Sequence, residues 1–324
     1  MAKIRWAIIG VGKFAATRGG ATAIAYAHAE GLKRNADKFE LVGACARTPA
    51  NLEAFAAEYP CNVYTDMREL YAVEKPDGVS ICTFAKDRVE HVKCAIDAGV
   101  KYVLVEKPVA MTLTETDEIR DYAEKRGVRL FVNFQRRFGR PFEMVKEAIG
   151  SGKLGRLYTI DMFQPCSNTL DFGPHFINMA LWFLGDKAKC VYSLSGVDGA
   201  DTIDWHGVKV EARKNTICFM EGGVKIHYSA MPENHWDEPA IRVTGARGYA
   251  ELWADKVGDM KSILRIVTPD GIENPGLEEN FHHGDEDKFL YFGRAFADLA
   301  SAIATGSESR LDFAPAYLTQ KMLD

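Results

Sequence analysis

Nothing in this 324-residue chain leans strongly to one side. The formal charge is −5, so there is no basic footprint to hold nucleic acid or an anionic membrane surface. No apolar run reaches the roughly 20 residues that a membrane helix needs. The seven cysteines (45, 61, 82, 94, 166, 190 and 218) are odd in number, scattered and without metal-like spacing. Reduced thiols in a cytosol are the reading that fits, rather than a disulfide framework or a zinc site. His282-His283 lacks further ligands in register and reads as a solvated loop, so no metal is expected. There are no repeats or low-complexity segments, and no charged lead followed by a cleavable apolar stretch. These absences predict a soluble, cytoplasmic protein with neither nucleic-acid nor membrane partners. What is present, 47% hydrophobic and 26% charged residues, is ordinary globular composition, and the length favours two domains.

Short apolar runs at Ile4–Ile9, Glu40–Ala46, Gly78–Thr83, Tyr102–Glu106 and Arg129–Asn133 alternate with segments of helical spacing, such as Val89, Val92, Ala95 and Ile96. This βαβ alternation predicts an α/β domain over 1–132, a doubly wound parallel sheet with ligand over the strands' carboxyl ends. The pattern changes after Phe138. A helix through Pro141–Ile149, a strand Arg156–Phe163 and a helix Phe172–Leu184 lead into strand-like segments at Cys190–Leu194, Val208–Phe219, Val224–Tyr228, Ala240–Val243, Ala250–Trp253 and Ile263–Val267. Gly222-Gly223 is a hairpin signal, Thr268–His283 reads as a long loop, and Asp285–Ala304 as a helix closing the domain. The second domain, 133–324, is therefore expected to be α+β around an open, mostly antiparallel sheet.

The first strand runs into Gly10-Val11-Gly12-Lys13-Phe14-Ala15. Gly10 permits a tight turn, Gly12 a close backbone approach to a pyrophosphate, and Ala15 takes the third, helix-packing position. A glycine turn without ligand is the alternative. Thr17-Arg18-Gly19-Gly20 interrupts the helix that should follow, and Arg18 reads either as a phosphate contact or as a solvated arginine. The second strand ends Ala46-Arg47-Thr48, where NAD enzymes place an acid for the ribose 2′-hydroxyl. With no carboxylate there, and Arg47 offering a planar fork, NADP(H) is expected over NAD(H). The alternative makes Arg47 a surface residue leading a helix. Glu106-Lys107-Pro108 ends another apolar run, which suits a fixed catalytic ammonium. In Asp171-Phe172-Gly173-Pro174-His175-Phe176-Ile177-Asn178, a spacing of four puts Asp171 and His175 on one helix face, with Asn178 on the same side. An imidazole oriented by a carboxylate, together with a lysine, is what carbonyl/alcohol interconversion requires beside a hydride carrier. A lone Asp is otherwise an N-cap, and a lone His a satisfied surface or core residue. Met231-Pro232-Glu233-Asn234-His235-Trp236 offers Trp236 to stack on a sugar face, or else is an ordinary exposed loop.

With the glycine turn, the stretch Ala98–Pro108, Asn133-Phe134-Gln135-Arg136-Arg137-Phe138, Ser151-Gly152-Lys153-Leu154-Gly155 and the DxGxH segment Asp171–His175, the chain resembles the glucose–fructose oxidoreductase / inositol dehydrogenase / rhizopine catabolism (Gfo/Idh/MocA) family over nearly its whole length. The resemblance implies a Rossmann domain followed by an α/β domain whose open sheet forms a subunit interface, hence a homodimer or homotetramer. It implies that Lys107 contacts nicotinamide and substrate, that His175 exchanges the proton and that Asp171 is its neighbouring acid. Glu106 is expected against the cofactor, flanked by Asn133 and Arg137. Three departures stand out. Asn178 occupies a position where the family often has Asp. Thr83-Phe84-Ala85-Lys86-Asp87-Arg88 lacks the proline and histidine of the family's Thr-Pro-Asn-x-x-His, so beyond Thr83 that wall of the cofactor site is rebuilt. Between Phe163 and Asp171, Gln164, Asn168 and Thr169 offer neutral hydrogen bonds, which favours a neutral polar substrate such as a sugar or polyol. A hydrolase or eliminase using transient oxidation, and a non-catalytic nucleotide-sensing regulator, are the competing functions.

Overall fold

The computed structural model describes residues 2–12, 24–164, 169–185, 188–196, 202–205, 207–211, 214–230, 240–253, 263–275 and 285–323. The chain divides into two units, Met1–Gln135 with Lys288–Phe313, and Arg136–Asp287 with Ala314–Asp324. Neither unit is one continuous stretch, unlike the single cut that sequence order suggests.

The first unit is built on β1 (Ile4–Ile9), β2 (Phe39–Cys45), β3 (Asn62–Tyr64), β4 (Gly78–Ile81), β5 (Tyr102–Val105) and β6 (Arg129–Val132). They form a parallel sheet in the order β3-β2-β1-β4-β5-β6. Central strands buried on both faces need near-continuous apolar runs, and all four residues of β4 are buried, with Ser80 the one polar side chain among them. Helices α1 (Ile24–Lys33), α2 (Pro49–Glu58), α3 (Met67–Glu74), α4 (Arg88–Asp97) and α5 (Leu113–Glu124) make the crossovers. α5 starts on a capping box: Thr112 Oγ1 accepts from the Glu115 N–H at 3.2 Å, and Glu115 Oε2 accepts from the Thr112 N–H at 3.1 Å. Strand order reverses between β1 and β4, which is where an open α/β sheet leaves a crevice for ligand. The register pairs Ile9 with Ile81, Ile81 with Val105 and Val105 with Val132. Residues 10, 82, 106 and 133 therefore emerge side by side at the carboxyl edge.

The second unit begins with α6 (Arg140–Gly150), β7 (Leu157–Gln164) and α7 (Thr169–Leu184). Then come β8 (Cys190–Gly196), β9 (Thr202–Trp205), β10 (Val208–Glu211), β11 (Lys214–Met220), β12 (Lys225–Ala230), β13 (Ile241–Gly245), β14 (Gly248–Trp253), β15 (Ile263–Thr268) and β16 (Gly271–Glu273). Eight of these strands make one sheet, β16-β15-β14-β13-β7-β12-β11-β8, and β9 with β10 form a separate hairpin. The sheet is open and mostly antiparallel as expected, with β7 and β12 as its parallel pair. Gly222 and Gly223, at φ +88° and +87°, turn β11 into β12. Two sequence readings need correction. Val208–Phe219 is two strands, β10 and β11, and the expected loop after Thr268 opens with a hairpin to β16. Residues 276–284, including His282-His283, lie outside the described residues.

Helix α8 (Asp285–Thr305) corrects a further expectation: from Lys288 it belongs to the first unit, not to the domain it was expected to close. Phe296 packs edge-on against Trp6 at 6.1 Å and Phe39 at 5.7 Å, and Phe292 against His28 at 5.1 Å. The chain then covers the outer edge of β6, where the Val132 N–H donates to Leu311 O at 2.7 Å. α9 (Phe313–Leu323) returns to the second unit.

Candidate active site

Backbone hydrogen bonds carry the parallel register one residue beyond each strand. The Cys82 N–H donates to Ile9 O at 2.8 Å, Glu106 N–H to Ile81 O at 3.1 Å, and Asn133 N–H to Val105 O at 2.9 Å. Four loop starts are thereby fixed along one edge. Gly10 sits at φ +100°, and a Cβ there would lie 2.9 Å from the Cys82 carbonyl carbon and 2.9 Å from Thr83 Cγ2. Only glycine fits this position. At Gly12 a Cβ would meet nothing within 4 Å among the described residues. Gly10 serves the turn, and no described residue fills the space beside Gly12.

Glu106 is the centre of a buried polar group. Its Oε1 lies 2.9 Å from His28 Nε2 and accepts from Asn133 Nδ2 at 2.5 Å, while Oε2 accepts from the Lys107 N–H at 3.3 Å. His28 Nδ1 lies 2.9 Å from Ser80 Oγ, which accepts from Trp6 Nε1 at 2.9 Å. An indole can only donate, so Ser80 Oγ accepts from Trp6, and the two ring nitrogens of His28 bridge Ser80 and Glu106. Burial pushes the Glu106 carboxyl up, but the bond and charge of His28, the charge of Lys107 and the bond from Asn133 outweigh it and hold the group below its ordinary value. Lys107 itself is half-buried, and its peptide to Pro108 is cis. Asn133 Oδ1 is buried and has no hydrogen-bond partner among the described residues. An unsatisfied acceptor beside the Glu-Lys-Pro turn, with the open face of Gly12 on the same sheet edge, fits a dinucleotide that brings donors of its own.

The remaining cofactor candidates divide. Ala46 bonds its N–H to Tyr64 O at 3.2 Å, while Arg47 and Thr48 are exposed at the end of β2. Thr48 is the N-cap of α2, yet its side chain makes no capping bond. Thr83 Oγ1 lies 2.8 Å from His91 Nδ1. Lys13, Phe14, Ala15 and Arg18 lie outside the described residues.

Lys107 belongs to the first unit; Asp171, His175 and Asn178 belong to the second, on α7. His175 is buried at 4% exposure, Asp171 is half-buried, and the rings of Phe172 and His175 meet edge-on at 6.4 Å. Arg137 and Asn178, read from sequence as cofactor and substrate contacts, touch each other. Arg137 Nε donates to Asn178 Oδ1 at 2.6 Å, and Asn178 Nδ2 donates to Thr319 Oγ1 at 3.0 Å. Gln164 ends β7, with its backbone paired to Ala230; Trp236 and Asn168 fall outside the described residues. Among the described residues there is no group of three potential metal ligands, and no helix is long and apolar enough to cross a membrane. A surface groove of about 830 Å³, lined by Arg68, Lys86, Lys93 and Glu118 among others, includes none of these site residues.

Sequence reasoning missed His28, Ser80 and Trp6 as partners of Glu106. The available signal was a histidine among small apolar residues in Ile24–Lys33, which a buried helix face tolerates only when the ring is hydrogen-bonded.

Residues 4–134 match the family model described as an oxidoreductase family with an NAD-binding Rossmann fold (Gfo/Idh/MocA). The chain is 30% identical over 168 residues to the D-glucoside 3-dehydrogenase of Escherichia coli (strain K12), a match covering 46% of this chain and 48% of that protein. It is 25% identical over 317 residues to the inositol 2-dehydrogenase of Rhizobium meliloti (strain 1021), covering 91% of this chain and 89% of the relative. The chain thus spans about half the length of the first relative and most of the second. Its fold is shared with an inositol dehydrogenase homolog of Azotobacter vinelandii solved with NADH and myo-inositol, at a TM-score of 0.78 and 17% identity over 99% of this chain and 93% of that one. Residues 4–134 thus match the NAD-binding Rossmann domain of the Gfo/Idh/MocA oxidoreductases, and the similarity to the inositol 2-dehydrogenase extends over most of the chain.

Proposed function

We propose that this protein is an NADP(H)-dependent oxidoreductase acting between the alcohol and carbonyl forms of a sugar, polyol or related compound. The observation that carries the reading is the half-buried Lys107, set at the carboxyl end of β5 beside a locked Glu106 carboxylate and in line with the Gly10 turn. A lysine on a solvated loop has no need of such support. A bound nicotinamide supplies hydride exchange at a substrate carbon. The chain supplies the rest: Gly10 and Gly12 admit the pyrophosphate, and Asn133 Oδ1 accepts a hydrogen bond from the nicotinamide half. Lys107 donates to the substrate oxygen and stabilises the charge that develops there. His175, oriented by Asp171, delivers the proton to that oxygen in reduction and removes it in oxidation. Gln164 and Trp236 take the substrate's neutral hydroxyl groups and ring face.

The missing carboxylate at Ala46 and the exposed Arg47 and Thr48 support NADP(H) over NAD(H). Val191, Tyr192 and Leu194, exposed on edge strand β8, support a homo-oligomer through the second sheet. A cytoplasmic location completes the reading. The test is a panel of sugars, polyols and small ketones with both dinucleotides, followed at the nicotinamide absorbance band. Lys107→Ala and His175→Asn are expected to lower kcat about 100-fold or more while dinucleotide affinity stays within about threefold. Undiminished turnover by Lys107→Ala sinks the mechanism.

A further inference from the structure

We propose that Arg88 is a positioning residue for Lys107, gripping the backbone on both sides of it so that the ammonium is presented from a fixed turn. The inference rests on the role given to Lys107 above. Arg88 opens α4 and is 2% exposed. Its Nη1 donates to the carbonyl oxygens of Glu106 and Pro108, and to that of Val109 at 3.4 Å; its Nη2 donates to the carbonyl oxygen of Thr83. One guanidinium therefore ties together the loops that leave the neighbouring strands β4 and β5. The residues before and after Lys107 are both held by it.

Glu106 is held twice, by its carbonyl on Arg88 and by its carboxylate on His28 and Asn133. Rotation of the Glu106-Lys107-Pro108 turn must break one set of bonds or the other. The planar fork is what makes this possible. Its several fixed donors reach two loops at once, whereas an ammonium is a single point on a flexible stem. Burial pulls the Arg88 guanidinium down to about 10, against the opposing pull of the Glu106 and Asp87 charges, so it remains charged near neutrality. The buried positive charge is balanced by the Glu106 carboxylate beside it. Position 88 is also where the resembled family pattern has histidine, and position 84, where it has proline, is Phe84 here. The wall that lost both residues is held instead by the arginine.

Arg88→Lys, which keeps the charge and loses the fork, and Arg88→Ala are compared with wild type and with Lys107→Ala in the full chain. By hydrogen-exchange mass spectrometry, the amides of residues 106, 107, 109 and 110 are expected to exchange about tenfold faster in Arg88→Lys, with β1 and β4 unchanged. Turnover of whichever panel alcohol the wild type oxidises with NADP+ is expected to fall about 10- to 100-fold in kcat, with KM and NADP+ affinity little altered. Added methylguanidinium is expected to restore part of the Arg88→Ala loss. Unchanged exchange at 106–110, unchanged kcat, a loss confined to NADP+ binding, or an absence of rescue overturns the proposal. If Lys107→Ala turns over normally, it is the functional reading that fails, and the exchange measurement alone then decides whether Arg88 fixes the turn.

Discussion

Two glycines of the same turn are expected to fail in opposite ways when a methyl group is added. At Gly10 the backbone is at φ +100°, which costs an L-residue about 1–2 kcal/mol. The added Cβ would also stand 2.9 Å from the Cys82 carbonyl carbon and 3.0 Å from Thr83 N, atoms of the backbone leaving β4 that cannot swing aside. Overpacking of this kind costs about 1–3 kcal/mol, so Gly10→Ala is expected to lose about 2–5 kcal/mol in all. Gly12 has neither problem among the described residues, where a Cβ meets nothing within 4 Å. Gly12→Ala is therefore expected to keep its stability within about 0.5 kcal/mol. Under the proposed function it fills the space a pyrophosphate would take, so NADPH affinity is expected to fall about 10- to 100-fold, or about 1.4–2.8 kcal/mol. Urea unfolding followed by tryptophan fluorescence reads the first quantity, and NADPH fluorescence titration the second. The division of labour is refuted if Gly10→Ala unfolds at the wild-type midpoint, or if Gly12→Ala binds NADPH as wild type does.

The Glu106 carboxyl is held below its ordinary value in the folded protein, so its stabilisation is present above about pH 4.3 and lost as pH falls through the lower folded value. Urea melts between neutral and acid pH should show Glu106→Gln less stable than wild type near neutrality, with the gap closing on acidification; a constant gap contradicts the assignment. Removing the Asn178 amide from the buried Arg137 guanidinium is expected to cost about 1.5–3 kcal/mol in Asn178→Ala by the same assay. Asn178→Asp should recover part of this, gaining charge on Arg137 but losing the donor to Thr319 Oγ1, whose own proton goes to Pro315 O. Arg47→Ala is expected to weaken NADP+ binding roughly tenfold or more and leave NAD+ binding unchanged. Equal losses for the two dinucleotides would remove the 2′-phosphate reading.

The first sheet was legible because strands covered on both faces demand near-continuous apolar runs, as in Trp6–Ile9 and Tyr102–Val105. β3 escaped notice: it is three residues long, Asn62 and Val63 are exposed, and no alternation marks it. The parallel pairing of β7 with β12 was invisible, since alternation along a strand does not tell which way its neighbour runs. α8 was given to the wrong unit because sequence order was taken for spatial order; its apolar stripe is satisfied by Trp6 and Phe39, from the far end of the chain. At the candidate site, Gly10 and Lys107 announced themselves through local chemistry. The His28–Glu106 and Arg137–Asn178 contacts join residues from separate elements, and nothing in either short segment names the other.

The return of α8 has a consequence for synthesis. When Gln135 has left the ribosome, every strand of the parallel sheet exists, but Trp6, His28 and Phe39 still lack the aromatic side chains that cover them. Phe292 and Phe296, and then Leu311 at the sheet edge, follow only after the whole eight-stranded sheet has been made. At ordinary elongation rates that interval is on the order of 10 to 40 seconds. A fragment ending near residue 135 should accordingly be sticky and poorly folded. Wherever this protein is made, the sheet of its first unit must wait, partly uncovered, for residues 292–311 to arrive.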